Sequence, residues 1–459
     1  MTESAQPRLL SLTAGSLYRD IWKLAWPVML GTGLHMGFGL VDTFWVSRLG
    51  SVLVSIPSLA NSLLWLFISL TEAISIGTVA MIARFEGAGR RNLMSQVIAN
   101  SFWLAMGMAI VIGTVVIIFA NPLLALFTED ETILPMAVDF LYVTVLGLIF
   151  TFGTTSISAA LNGIGDTKTP MLVMMAANGF NILLDPLLIF GWLGFPALGV
   201  IGAAWATFIA NALAFIVLLV VLFRRKELGV STLWVRLNRT VLASILNIGI
   251  PACLQSASRS ATGTVMFWLV MRGHGEEAAA AFGAGQRMIG FIFVLLTGLS
   301  VAATTLIGQA LGTGDRGLAR LAARRLIIMG LAVQVVIGLA YFAVAVPISE
   351  LFLGDDPLVL AAGISYVRIC SIGLALGASS SVIGGIFKGA GHTMPTFAAG
   401  FISNWLVKLP LAAIGTLVLN WPVEAIWWAI SLSVIVEWLM LAIWQRRGTW
   451  LEREIKLAS

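Results

Sequence analysis

Apolar runs long enough to cross a hydrocarbon core as helix, about 20 residues at 1.5 Å each, recur from one end of this chain to the other. Twelve fall near 22–47, 53–84, 95–120, 136–161, 168–191, 197–223, 240–271, 278–308, 321–346, 357–387, 394–419 and 424–445. Strands of a membrane barrel would be about half as long and would alternate apolar with polar residues, which these runs do not do. The pattern predicts an all-α, polytopic membrane protein of twelve transmembrane helices. Composition agrees: with 59% hydrophobic and 11% charged residues and a mean hydropathy of +0.97, a 459-residue chain lacks the polar coat of a soluble globule.

Charge placement tests the parsing independently, because lysine and arginine collect on the cytoplasmic side. Of the 27, 21 lie in the termini and alternate loops, 2 in the opposite loops (Arg48 and Arg272) and 4 within spans. Both termini are therefore expected in the cytoplasm and the protein in the plasma (inner) membrane. The opposite loops are acidic, as in Glu129-Asp130-Glu131 and Asp355-Asp356. The net charge of +5 then reflects topology and contact with anionic lipid rather than nucleic-acid binding. The first twenty residues lack the apolar core of a cleavable signal, so the first helix is expected to stay. Cys253 and Cys370 both fall inside spans and read as small core residues.

The chain also repeats itself. FEGAGRRNLM (85–94) aligns with ALGTGDRGLA (310–319), and LNGIGDTKTP (161–170) with FKGAGHTMPT (387–396). Pairing Pro27 with Pro251, Gly87 with Gly312 and Gly163 with Gly389 gives offsets of 224, 225 and 226, close to one spacing. Two pseudo-symmetric six-helix bundles follow. The expected organisation is a cytoplasmic segment 1–21, a first lobe 22–223, a cytoplasmic linker 224–239 lying on the membrane surface, a second lobe 240–446 and a cytoplasmic tail 447–459. Paired bundles of this kind frame alternating access in secondary transporters. The loops GAGRR and GTGDR lack the lysine-serine/threonine ending of a phosphate-binding loop and read as tight turns. No HExxH, no GxSxG and only three scattered histidines argue against an enzyme.

The most costly residues in such a chain are ionisable groups inside spans, each about 2.5–3.5 kcal/mol on insertion scales. In NGFNILLDPLLIF (178–190), helical spacing puts Asn178, Asn181 and Asp185 on one stripe, and Pro186 frees the carbonyl of Ile182. Asp42 lies seven residues after His35 on one face of the first helix, toward the outer side. Asp185 stands at a compatible depth, so the two acids are expected to share one cavity. Two carboxylates in a low dielectric disfavour joint ionisation, which makes proton uptake and release possible at working pH. Carboxylate, amide, hydroxyl and carbonyl oxygens also suit a sodium ion, and the residues do not choose between the two. No other cofactor or metal is expected.

Other buried charges carry weaker expectations. Glu72 falls near mid-membrane. Lys408 and Glu437 share a depth and are expected to pair with each other. Arg259, with Lys408, would let the second lobe accept an anionic or zwitterionic substrate. His35 is a candidate for the cavity lining, while His274 reads as an outer-loop residue and His392 as an inner-loop one. Pro27 with Gly31 and Gly33 supplies a hinge at which protonation of the acids would bend the first helix and expel substrate.

Taken in order, LAWPVML, FGLVDTFWVSRLG, the EGAGRR and LGTGDR pair and the NGIGDTKTP and KGAGHTMP pair resemble the multidrug and toxic compound extrusion (MATE) family over residues 20–446. The resemblance implies a monomer that exports organic, often cationic, compounds in exchange for protons or sodium. Asp42, Asn181 and Asp185 match the first-lobe cation site of the archaeal and DinF-type branches, with Thr207 a looser match for its hydroxyl ligand. The NorM-type branch has essential acids in helices seven and ten; here the seventh carries Arg259 and the tenth reads GLALGASSSVIGG. The resemblance therefore implies coupling in the first lobe. Competing readings are a flippase or exporter of lipid-linked or anionic amphipathic metabolites, and a channel.

Overall fold

The computed structural model describes residues 16–125, 127, 130–225, 228–230, 233, 237–354, 356–377 and 379–453. The amino-terminal segment through residue 15, the tail beyond 453, Glu129, Asp355 and much of the 224–239 linker lie outside the described residues. Among the described residues every regular element is helical.

In the first half each apolar run forms one helix: α1 Leu17–Ser47, α2 Ser55–Gly87, α3 Arg91–Ala125, α4 Ile133–Gly163, α5 Lys168–Phe190 and α6 Val200–Arg224. Helix α7, Arg239–Gly312, covers two runs in 74 residues. The two spans meet at Gly275, whose φ of 83° suits a residue without a Cβ, so the outer loop expected around His274 is absent. Helix α8, Arg316–Ala343, is followed by the short α9, Ala345–Leu353. Among the described residues ten helices are long and apolar enough to cross a membrane by length and composition, α7 counting once. Helix α2, at 33 residues, also has the length.

The last three runs are less regular. The run 357–387 splits into α10 Pro357–Leu376 and α11 Ser380–Gly389. At the break, Ser379 takes φ 74°, its N–H donates to the buried Gln334 Oε1 at 2.8 Å, and its hydroxyl accepts from Trp438 Nε1 at 3.2 Å. Backbone freed from a helix in this environment needs such partners. The next run is α12 Met394–Phe401, a π-helical turn Ile402–Lys408, and α13 Leu409–Leu417; α14 Val423–Arg447 completes the set.

Packing divides the chain into two units. One runs from Leu30 to Gly249; the other joins α1 up to Met29 with the chain from Ile250 onward. Relative to lobes at 22–223 and 240–446, the starts of α1 and α7 have exchanged places. Each changeover lies within two residues of a helix proline, Pro27 or Pro251. A proline omits one helical hydrogen bond and so permits a change of course there.

Lipid tails are as apolar as leucine, so the helices are held by close fit rather than by exclusion from water. In the Leu30–Gly249 unit, α4 packs against α2, α3 and α6 through a buried face rich in Ala, Gly and Ser. In the other unit, Leu24, Leu299, Ile383 and Phe387 anchor one core cluster. Phe282, Tyr366 and Trp427 form another, with the Phe282 and Trp427 rings stacked at 5.9 Å and Tyr366 edge-on to Trp427 at 4.9 Å. The described linker residues pack onto α3: Trp103 Nε1 donates to the Leu233 carbonyl at 2.8 Å, and the Asn238 N–H to Asn100 Oδ1 at 2.7 Å.

Candidate functional site

Helices α5 and α6 approach unusually closely. A Cβ on Gly202 of α6 would lie 2.4 Å from the Leu188 carbonyl of α5, so only glycine permits this spacing. One turn and a half further along α6, Thr207 comes against Asn181. Turned so that donors meet acceptors, the Asn181 amide donates to Asp42 Oδ1 at 3.0 Å and accepts from the Thr207 N–H at 3.2 Å. The Thr207 hydroxyl lies 3.4 Å from the same end of the amide. Asn181 thus ties α1, α5 and α6 together.

Asp185 is fully buried, with no donor to either carboxylate oxygen among the described residues. The Asp42 carboxyl stands within hydrogen-bonding reach of it. A hydrogen bond between two carboxyl groups requires a proton on one of them, and two bare carboxylates in a low dielectric repel. The pair can therefore hold a proton, or exchange it for a small cation ligated by the same oxygens. Asn178 is half-buried on the same stripe without a hydrogen bond to the pair, and His35 is exposed but near enough for its charge to act on Asp42. Glu72 is exposed on α2.

An aromatic group packs beside the acid pair. Trp45, one turn past Asp42, meets Phe190 at 6.1 Å and Trp192 at 6.0 Å, edge-on in both cases. Hydropathy does not single out Trp45. The available signal was the three-residue spacing of Asp42 and Trp45, which places both on one helix face.

At the other end of the same helices, Asp166 in the α4–α5 turn accepts from Thr169 Oγ1 at 2.7 Å and from Arg225 Nη2 at 2.5 Å. The repeat places His392 where Asp166 stands. Its ring is partly desolvated near Arg453, and burial first, then that arginine, hold its pKa below the usual 6.5.

The second unit holds a different polar cluster. Glu437 of α14 pairs with Arg259 at 3.5 Å and accepts from Gln255 Nε2 at 3.3 Å. Lys408 is held instead by Asn404 and by Thr262 Oγ1, the latter at 3.4 Å. The expected Lys408–Glu437 pair is therefore replaced by Arg259–Glu437. The π-helical turn at 402–408 shifts the register of the last residues of that segment, and Lys408 ends one turn from Asn404, facing α7.

Known proteins share this fold. A family model described as MatE matches residues 27–187 and 251–414, one half of the chain after the other. The chain belongs to the MatE family. MatE proteins are multi-pass membrane transporters associated with multidrug efflux, and not enzymes. A relative in Thermotoga maritima, "Probable multidrug resistance protein NorM", is 30% identical over 438 residues, covering 95% of this chain and 94% of that one. A "FAD transporter" of Shewanella oneidensis is 28% identical over 416 residues, 88% and 89% of the two chains. An outward-facing multidrug resistance MATE transporter superposes with a TM-score of 0.89 at 22% identity, over 99% of this chain and 100% of that one. A MATE structure in the bent conformation gives 0.88 at 22%, over 96% and 98%. The structural likeness establishes the twelve-helix fold.

Proposed function

We propose that this MatE protein is a secondary antiporter that exports organic compounds in exchange for protons or sodium ions, with coupling at Asp42 and Asp185. The observation that carries the reading is the buried Asp185 carboxylate, left without a donor beside a second carboxyl. Protonating the pair removes its repulsion and changes what Asn181 and Thr207 can bond, and α1 transmits this past Pro27, with Gly31 and Gly33 beside it as the hinge. Linkage makes the coupling two-way: if a proton weakens substrate binding, substrate weakens proton binding by the same factor. The acids of α1 and α5, and the absence of any carboxylate from 373–385, support a reading nearer the DinF-type and archaeal branch, although the names among its relatives include NorM.

The test is transport by the reconstituted protein under imposed pH and sodium gradients in turn, scored on cationic and anionic compounds. Export driven by one gradient and lost in Asp185→Asn supports the assignment; undiminished gradient-driven export in that variant removes it. A second reading, export of anionic amphipathic metabolites, is favoured by Arg259 and Lys408 in the second unit and by the relative named as a FAD transporter.

A further inference from the structure

The second unit places two cations and one carboxylate together within its membrane-spanning helices: Arg259 on α7, Lys408 at the end of the π-helical turn and Glu437 on α14. Glu437 can balance only one of the two positive charges. Lys408 is 8% exposed, and its described hydrogen bonds go to the neutral groups of Asn404 and Thr262. A lone ammonium in such a place is costly without an anion.

Arg259 is held loosely. Among the described residues its one hydrogen bond is the 3.5 Å contact to Glu437, and its guanidinium also lies 5.7 Å from the Phe293 ring centroid. Most of the five N–H donors of its planar fork are therefore free. The side chain is 46% exposed, on a stretch of α7 whose exposed residues include the small or polar Ala257, Ser260, Ala261 and Thr264 as well as Leu254 and Val265. A guanidinium left bare to lipid inside a membrane-spanning helix would be heavily penalised, so Arg259 calls for an anion or water beside it.

The surrounding helices are irregular at the same place. Next to Glu437 on α14, Trp438 bonds the α10–α11 break at Ser379, and Asn404 and Lys408 belong to a π-helical turn. Breaks and π-turns inside membrane helices, lined by polar groups, recur where transporters bind their cargo.

We infer that Arg259 and Lys408 form a subsite for an oxyanion, a carboxylate or phosphate carried by an organic substrate. Glu437 occupies the subsite's edge when no substrate is present. The planar fork of Arg259 matches the two oxygens of such a group, and Lys408 supplies a point charge behind it. The inference rests on the export reading above, because it assigns the second unit to substrate and leaves ion coupling to Asp42 and Asp185. Substrates would then combine an anionic group with an apolar or cationic body.

Equilibrium binding to the full chain in detergent, followed by fluorescence anisotropy, tests this with two dyes that differ only at one carboxylate: rhodamine 110 and its methyl ester, rhodamine 123. Wild type is expected to bind the free acid about tenfold more tightly than the ester, the usual weight of a charge-assisted bond. Arg259→Gln and Lys408→Gln should each remove most of that preference while leaving ester binding in place, and Arg259→Lys should retain part of it. Inorganic phosphate should displace the acid from wild type but not the ester, a readout that needs no variant to fold. Equal affinity for acid and ester in wild type, or no displacement by phosphate, overturns the proposal. So does loss of the preference in nanodiscs containing phosphatidylglycerol, since the subsite would then belong to a lipid headgroup. No gradient is present, so a failure of antiport coupling leaves this ratio unaffected, and the reverse holds.

Discussion

The side-chain amide of Asn181 donates to Asp42 across 3.0 Å and, through its oxygen, accepts the backbone N–H of Thr207. Helix α1 and the consecutive pair α5 and α6 meet at this one group. A hydrogen bond to a charged partner carries about 1.5–3 kcal/mol, so its loss is large against the net stability of any one contact.

Replacing Asn181 with alanine leaves Asp42 without that donor. Gradient-driven export in proteoliposomes should fall about tenfold or more, on the scale of one charge-assisted bond. The melting temperature should drop only a few degrees. Export at the wild-type rate would show that the amide takes no part in holding the acid pair.

Gly202 sets the spacing of α5 and α6. Gly202→Ala puts a methyl group 2.4 Å from a backbone carbonyl, a contact that rigid helix backbone can relieve only by moving apart. We expect destabilisation of about 1–3 kcal/mol. Cysteines placed on facing positions of α5 and α6 should cross-link more slowly in the variant. Unchanged melting and cross-linking would mean the helices slide past one another freely.

The Asp166–Arg225 bridge is partly exposed, with the arginine side chain 39% accessible. Solvent screening limits such a pair to about 1 kcal/mol or less. A double-mutant cycle of Asp166→Asn and Arg225→Gln on thermal unfolding should return a coupling energy within that bound and smaller at high salt. A coupling several-fold larger, indifferent to salt, would mark the pair as effectively buried.

His392 has its pKa lowered in the folded protein, by burial first and then by Arg453. The unfolded chain therefore binds its proton at a higher pH than the folded one, and stability rises with pH across the interval from the lowered value up to about 6.5, then levels off. Unfolding midpoints in detergent between pH 5 and pH 8, about the range where histidine titrates, should trace that rise. His392→Gln should flatten it, and a slope unchanged in the variant would assign the dependence to another group.

Much of this protein is legible before any coordinates. Hydropathy is local, and a run near 20 residues is a helix because nothing else satisfies its backbone in lipid. Each of the twelve runs is helical accordingly, and the near-constant offset of Pro27 from Pro251 and Gly163 from Gly389 exposes the duplication. The cost of an acid in hydrocarbon singled out Asp42 and Asp185, and helical periodicity put Asn181 on the same stripe as Asp185.

Tertiary structure alone decided which residues face one another. Which cation would pair with Glu437 depended on the angular position of α7 against α14 and on a π-helical turn that hydropathy does not register; the answer was Arg259, not Lys408. The exchange of helix starts at Pro27 and Pro251, and the break held by Gln334 and Trp438 at Ser379, were equally out of reach. Periodicity reports the face of a single helix, whereas the partner of that face follows from how closely residues such as Gly202, which lacks a Cβ, allow two helices to approach.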